Sequence, residues 1–129
     1  MKQIFLLLAI FILASSSSAQ RQMGVRPTET GGPLRFEQAV YDVHSYDISL
    51  DVDPATKSIK GSTVIKAKIV IPTNVILLDL DTPYKVEMVR EDGVDRKYEF
   101  KDGKIWIWFP MTKQVGEVAA ITVAYSGVP

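Results

Sequence analysis

The sequence predicts an all-β fold, an antiparallel sandwich or saddle-shaped sheet of about seven strands. Three observations lead there. From His44 onward apolar residues recur at every second position, the period of a strand with one face on a core and one in water. Asp92–Gly93 and Asp102–Gly103 interrupt such runs, and Asp-Gly supplies the two positive-φ residues of a two-residue hairpin turn. No segment past the first twenty residues gives a firm helical pattern. Seven short strands exceed what one flat half-buried sheet usually carries, so two packed sheets are expected.

The chain opens with a targeting signal. Lys2 is a positive start, Ile4 to Ala14 is an unbroken apolar run, and Ser17 and Ala19 are the small residues a signal peptidase needs. The run falls well short of the ~20 residues of a membrane span. Cleavage is expected after Ala19, giving residues 1–19 as a signal peptide and an exported chain, periplasmic or extracellular, with no membrane span. Residues 20–40 read as a flexible lead-in rich in Gly, Pro and Thr, and residues 41–129 as one β-domain. Leu34 to Val43 reads as irregular.

The strands follow in order. In His44 to Val52, Tyr46, Ile48, Leu50 and Val52 form the expected core face, and Ser45, Asp47, Ser49 and Asp51 the wet one. Asp53-Pro54-Ala55-Thr56 is a turn. Ser58 to Ile71 is a long strand with Ile59, Gly61, Thr63, Ile65, Ala67, Ile69 and Ile71 on one face. Gly61 is expected to mark a bend or bulge, and Pro72, lacking a ladder donor, ends the strand. Val75 to Leu80, apolar on both faces apart from Asp79, suits a central strand. Tyr84 to Arg90, Val94 to Phe100 and Lys104 to Phe109 read as a three-stranded meander through the two Asp-Gly turns. Met111 to Glu117 is a loop, and Val118 to Tyr125 a last strand. The chain stops just past that strand, as a natural domain or a fragment would.

Composition excludes much chemistry. There are 15 Lys and Arg against 15 Asp and Glu, interspersed in sign, so no nucleic-acid footprint is expected. One His and no Cys leave no thiolate chemistry and no zinc ligand set. His44 reads as an edge-of-core imidazole hydrogen-bonded to backbone. No serine has an oriented base, because Ser45 and His44 are strand neighbours that point apart. Asp79 and Asp81 share a face at a step of about 6.6 Å, loosely a carboxylate pair, but outward acids on a strand are ordinarily solvated. Asp51 with Asp53, and Asp92 with Asp95, read as turn residues rather than a calcium loop. No catalytic, cofactor-binding or metal-ligating residue is assigned. Trp106 and Trp108 share one face of a strand, with Ile105, Ile107 and Phe109 on the other. The indoles are covered by Gln20 to Val43, form an interface with a following domain, or offer a ligand platform, which would make the chain a free-standing secreted module, for instance a carbohydrate binder.

Four segments, in this order and spacing, resemble the N-terminal β-domain of M1-family zinc aminopeptidases (gluzincins): Tyr41-Asp42-Val43-His44-Ser45-Tyr46-Asp47-Ile48-Ser49-Leu50-Asp51-Val52, Ile59-Lys60-Gly61-Ser62-Thr63-Val64, Val75-Ile76-Leu77-Leu78-Asp79-Leu80 and Val123-Ala124-Tyr125-Ser126-Gly127-Val128-Pro129. The resemblance spans roughly residues 40 to 129 and implies a saddle-shaped domain in front of a zinc peptidase domain that removes N-terminal residues from peptides. Zn2+ would be held there by a His-Glu-x-x-His helix and a later Glu, and a Gly-x-Met-Glu-Asn segment would grip the free amine. None of these motifs has a position in this chain. The implied partners are therefore that missing C-terminal domain, in contact with this one, and the peptide substrate of the whole protein. The chain alone is expected to hold no metal and to hydrolyse nothing.

Overall fold

A computed structural model describes residues 33–129; the expected signal peptide and the lead-in through residue 32 lie outside the described residues. Within them the elements are α1 (Phe36–Ala39), β1 (Tyr41–Asp53), β2 (Ser58–Ile69), β3 (Thr73–Asp79), β4 (Tyr84–Glu91), β5 (Val94–Asp95), β6 (Lys97–Lys101), β7 (Lys104–Lys113) and β8 (Val118–Gly127). Every pairing is antiparallel. The larger sheet runs β1-β2-β8-β4-β5 and the smaller β3-β7-β6. The all-β sandwich read from the alternation is what forms.

The core lies between the sheets. Ile65, Val86, Val89, Ile121 and Val123 from the larger meet Ile76, Leu78, Ile105, Ile107 and Phe109 from the smaller. Of the two faces of β7, the Ile105–Ile107–Phe109 face is the one buried. Both Asp-Gly turns adopt the positive φ that the hairpin needs, at 49° and 82° for Asp92 and Gly93 and 51° and 72° for Asp102 and Gly103.

The meander is the first correction. Val94 to Phe100 is not one strand. It breaks at Arg96, whose N–H donates to the Val89 carbonyl at 2.9 Å and whose guanidinium turns inward to Glu91. Val94 and Asp95 pair with β4 in the larger sheet, and Lys97–Lys101 pair with β7 in the smaller. The segment is thus the corner by which the chain changes sheets. β3 is an edge strand rather than a central one, although Ile76, Leu77 and Leu78 are buried on both faces because α1 packs on the outer side. β7 runs on to Lys113, so the loop shrinks. The register between β3 and β7 slips around Pro110, where a residue without a donor interrupts the ladder.

Leu34 to Val43 is ordered, not irregular. Phe36–Ala39 makes one helical turn, and β1 starts at Tyr41. What orders it is distant in sequence: Val40 is fully buried, its carbonyl accepts from Val70 and Ile71, and the Gln38 amide donates to Asp79 at 2.9 Å.

Tyr41 ties the sheets together, its hydroxyl donating to the Leu77 carbonyl at 2.7 Å. Burial, aided by Tyr46 and Asp79, pushes the phenol up from 10.0 to about 12. A raised folded value means full stability below the unfolded value and loss as pH rises from 10 toward 12. Tyr41→Phe is expected to cost about 1 kcal/mol at neutral pH by orphaning that carbonyl, and to flatten the alkaline loss. Urea melts at pH 8 and 11 check both; an unchanged alkaline slope would remove Tyr41 from the account.

Candidate functional site: an open apolar cleft on the larger sheet

The site begins with a bulge. β1 and β2 pair Val43 with Ala67 and then Ser45 with Lys66, leaving His44 as the extra residue. The bulge switches the parity, so Tyr41 and Val43 before it and Tyr46, Ile48, Leu50 and Val52 after it all lie on the inner face. A second bulge between Val86 and Met88 does the same in β4, keeping Val86, Val89 and Glu91 inward.

The expected core face of β1 is nevertheless uncovered. Tyr46, Ile48, Leu50 and Val52 are between 54 and 59% exposed. The reason is width: β1 packs on β2 and touches α1, and the three-stranded sheet reaches only its start, where Tyr41 bonds the Leu77 carbonyl. The sandwich therefore gapes on this side. A cleft of about 240 Å³ opens there, lined by Tyr46 and Ile48, by Thr63 and Ile65 of β2, by Val123 and Tyr125 of β8, and by Leu78, Leu80 and Ile105 below. Its one charged wall residue, Asp79, is held by Lys104 and Gln38.

Gly61 sits beside this cleft for a different reason from the bulge expected of it. Both its registers run through without a shift. A Cβ there would lie 2.7 Å from the Tyr125 ring and 2.8 Å from Leu50 Cδ2. The missing side chain lets the Tyr125 ring cross the strand, where its edge meets Tyr84 at 5.8 Å between centroids.

The polar candidates do not assemble. His44 stands exposed at the bulge and not at the edge of the core. Asp81 accepts from the Thr82 N–H at 2.7 Å, while Asp79 is tied as above, so each carboxylate has its own local partner. Asp53 accepts from the Thr56 hydroxyl at 2.7 Å and the Ala55 N–H at 2.9 Å, bonds that hold its carboxyl below the ordinary range; it is turn chemistry, as the sequence suggested. Among the described residues no three His, Cys, Asp or Glu side chains group to hold a metal ion, and no helix is long and apolar enough to cross a membrane. Trp106 and Trp108 are half-buried, with Arg35 over one ring at 6.0 Å and Lys97 over the other at 5.5 Å. The chain's own cations occupy a face of each indole, and nothing here favours a sugar platform.

One polar cluster escaped the sequence. Glu91, 1% exposed, receives Arg96 Nε on Oε2 at 2.6 Å and has Lys113 Nζ 2.6 Å from Oε1. The Lys113 approach lies off hydrogen-bond geometry, so that oxygen is held by charge. Lys113 is also 3.7 Å from Glu117. Its two cations and two carboxylates balance, which makes it a fastening between sheets. The signal for it was the parity Val86, Val89, Glu91, readable only once the bulge is known.

No family model matches the chain, and no curated protein matches it by sequence. Solved structures do. The M1 zinc metallopeptidase from Deinococcus radiodurans superposes with a TM-score of 0.65 at 24% identity, over 71% of this chain and 21% of that one. A mutant of the Deinococcus radiodurans enzyme bound to a Tyr-Ser-Ala substrate gives 0.63 at 23%, over 69% and 21%. The fold is thus that of a β-domain found in M1 zinc metallopeptidases. The chain spans about a fifth of the length of those proteins.

Proposed function

We propose that this chain is the non-catalytic N-terminal β-domain of an exported zinc metallo-aminopeptidase, which removes N-terminal residues from peptides through a domain beyond residue 129. The observation that carries the reading is the match at TM-scores of 0.63 to 0.65, confined to about a fifth of proteins whose remainder has no counterpart here. The residues present do not fit zinc: His44 is alone and exposed, and Asp79 and Asp81 have other partners. No step of hydrolysis is therefore assigned to these residues. Their task is shape. The uncovered cleft of Tyr46, Ile48 and Tyr125 supports a docked neighbour, since apolar surface of this kind gains from being buried.

Two measurements test this. The coding sequence past Pro129 is expected to continue in frame to a His-Glu-x-x-His segment. The purified chain is expected to bind no stoichiometric zinc and to leave an aminoacyl chromogenic substrate uncut. A stop codon directly after Pro129, or a zinc-loaded chain that turns over substrate, sinks the proposal.

A further inference from the structure

The longest unpaired edge in the fold belongs to β1. It is 13 residues long, and among the described residues no strand pairs with its far side. Proteins usually blunt such an edge with shortness, Pro, an outward Lys or a bulge. β1 has its one bulge at His44, after which Ser45–Asp53 pairs with β2 without interruption.

The two faces of that stretch specify what would complete it. Inward, Tyr46, Ile48, Leu50 and Val52 are more than half exposed. Outward stand Asp47 and Asp51. The strand carries four Asp and no Lys or Arg. Its existing neighbour shows the complement. β2 sets Ile65, Thr63 and Ile59 opposite the apolar face, and Lys66 and Lys60 opposite Ser45 and Asp51. Cross-strand partners share a face, so the same alternation fits the open side.

We propose that the open edge of β1 takes up an extended peptide segment of alternating apolar and Lys or Arg residues, adding it as a sixth strand of the larger sheet. Backbone bonds to the edge would hold it, its apolar side chains would extend the wall of the cleft, and its cations would meet Asp47 and Asp51. The β1 strand of a second copy is the wrong occupant. Two β1 strands paired antiparallel about Ser49 would set Asp47 opposite Asp51 twice, and no register gives an Asp a cation. The inference goes beyond the aminopeptidase reading and does not rest on it, because it is drawn from the unpaired edge of β1 among the described residues and not from the cleft or any neighbouring domain.

The test uses the purified chain and two fluorescein-labelled peptides, one alternating Lys and Val, the other Glu and Val. Anisotropy at low salt should show the Lys peptide binding at least about tenfold tighter, a preference that weakens as salt rises. Amide exchange should slow across Ser45–Asp53 on binding. The double variant Asp47→Lys/Asp51→Lys should reverse the preference, with a small drop in its urea midpoint because the change at 51 sets like charges opposite Lys60. No binding, equal binding of both peptides, protection elsewhere in the chain, or self-association seen in sedimentation would each overturn the proposal. The exchange measurement on the unmodified chain decides it even should the double variant fold poorly. Zinc binding and turnover do not enter, so this proposal and the aminopeptidase reading fail separately.

Discussion

Glu91→Ala is expected to lower stability by about 3–5 kcal/mol in urea melts at pH 7, the cost of breaking a buried ion pair from one side. The carboxylate is 1% exposed and receives both Arg96 and Lys113. Their side chains are only 18% and 23% exposed, so removing Glu91 strands two cations where water reaches poorly. Lys113 retains Glu117 at 3.7 Å, whereas Arg96 retains only the Asp95 carbonyl at 3.3 Å. Replacing all three by apolar residues of similar size should recover most of the loss, because no charge is then left unpaired. A single-variant loss below about 1 kcal/mol would show that the cluster fastens nothing.

The pH dependence follows from the same contacts. Burial alone would push the Glu91 carboxyl up, but the Lys113 and Arg96 partners outweigh it and hold it below its ordinary 4.5. A depressed folded value gives stability that is complete above the ordinary value and is lost as pH falls through the lower one. Lys113 is raised above 10.5, chiefly by Glu91, and its share is lost only as pH rises past that point. Part of the acid loss that sets in as pH falls below the ordinary 4.5 should therefore vanish in Glu91→Ala.

The alternation of two made the strands legible, and the Asp-Gly pairs made two hairpins legible, because both are local properties of the chain. What the sequence withheld is set by distant contacts. Arg96 breaks its strand only because Glu91 waits between the sheets. Val40 orders the segment before β1 only because Val70 and Ile71 donate to it. Gly61 suggested a bulge, yet the need it meets is room for the Tyr125 ring from another strand. The bulges of the larger sheet, at His44 and between Val86 and Met88, are marked by no glycine. The cleft was hidden for a further reason. The period of β1 says that Tyr46, Ile48, Leu50 and Val52 share a face, and they do. It cannot say how many strands the opposing sheet has to cover them.

That distinction gives the second large effect. Ile107 and Ile48 are both isoleucines on the apolar face of an alternating strand, and the pattern alone ranks them equal. Ile107 is fully buried at the centre of the smaller sheet, paired with Ile76 and Tyr98. Ile107→Ala should remove the transfer energy of the lost methyl groups and leave a cavity that close-packed neighbours fill only in part, about 3–4 kcal/mol in all. Ile48 is 58% exposed in the free chain. Its truncation should cost under about 1 kcal/mol, since little surface is withdrawn from water there. The contrast bears on function as well as fold. Natural chains keep large apolar side chains exposed in a row where something is to cover them. If the two variants lose equal stability, the face of β1 is already covered in the isolated domain, and a docking role for the cleft fails.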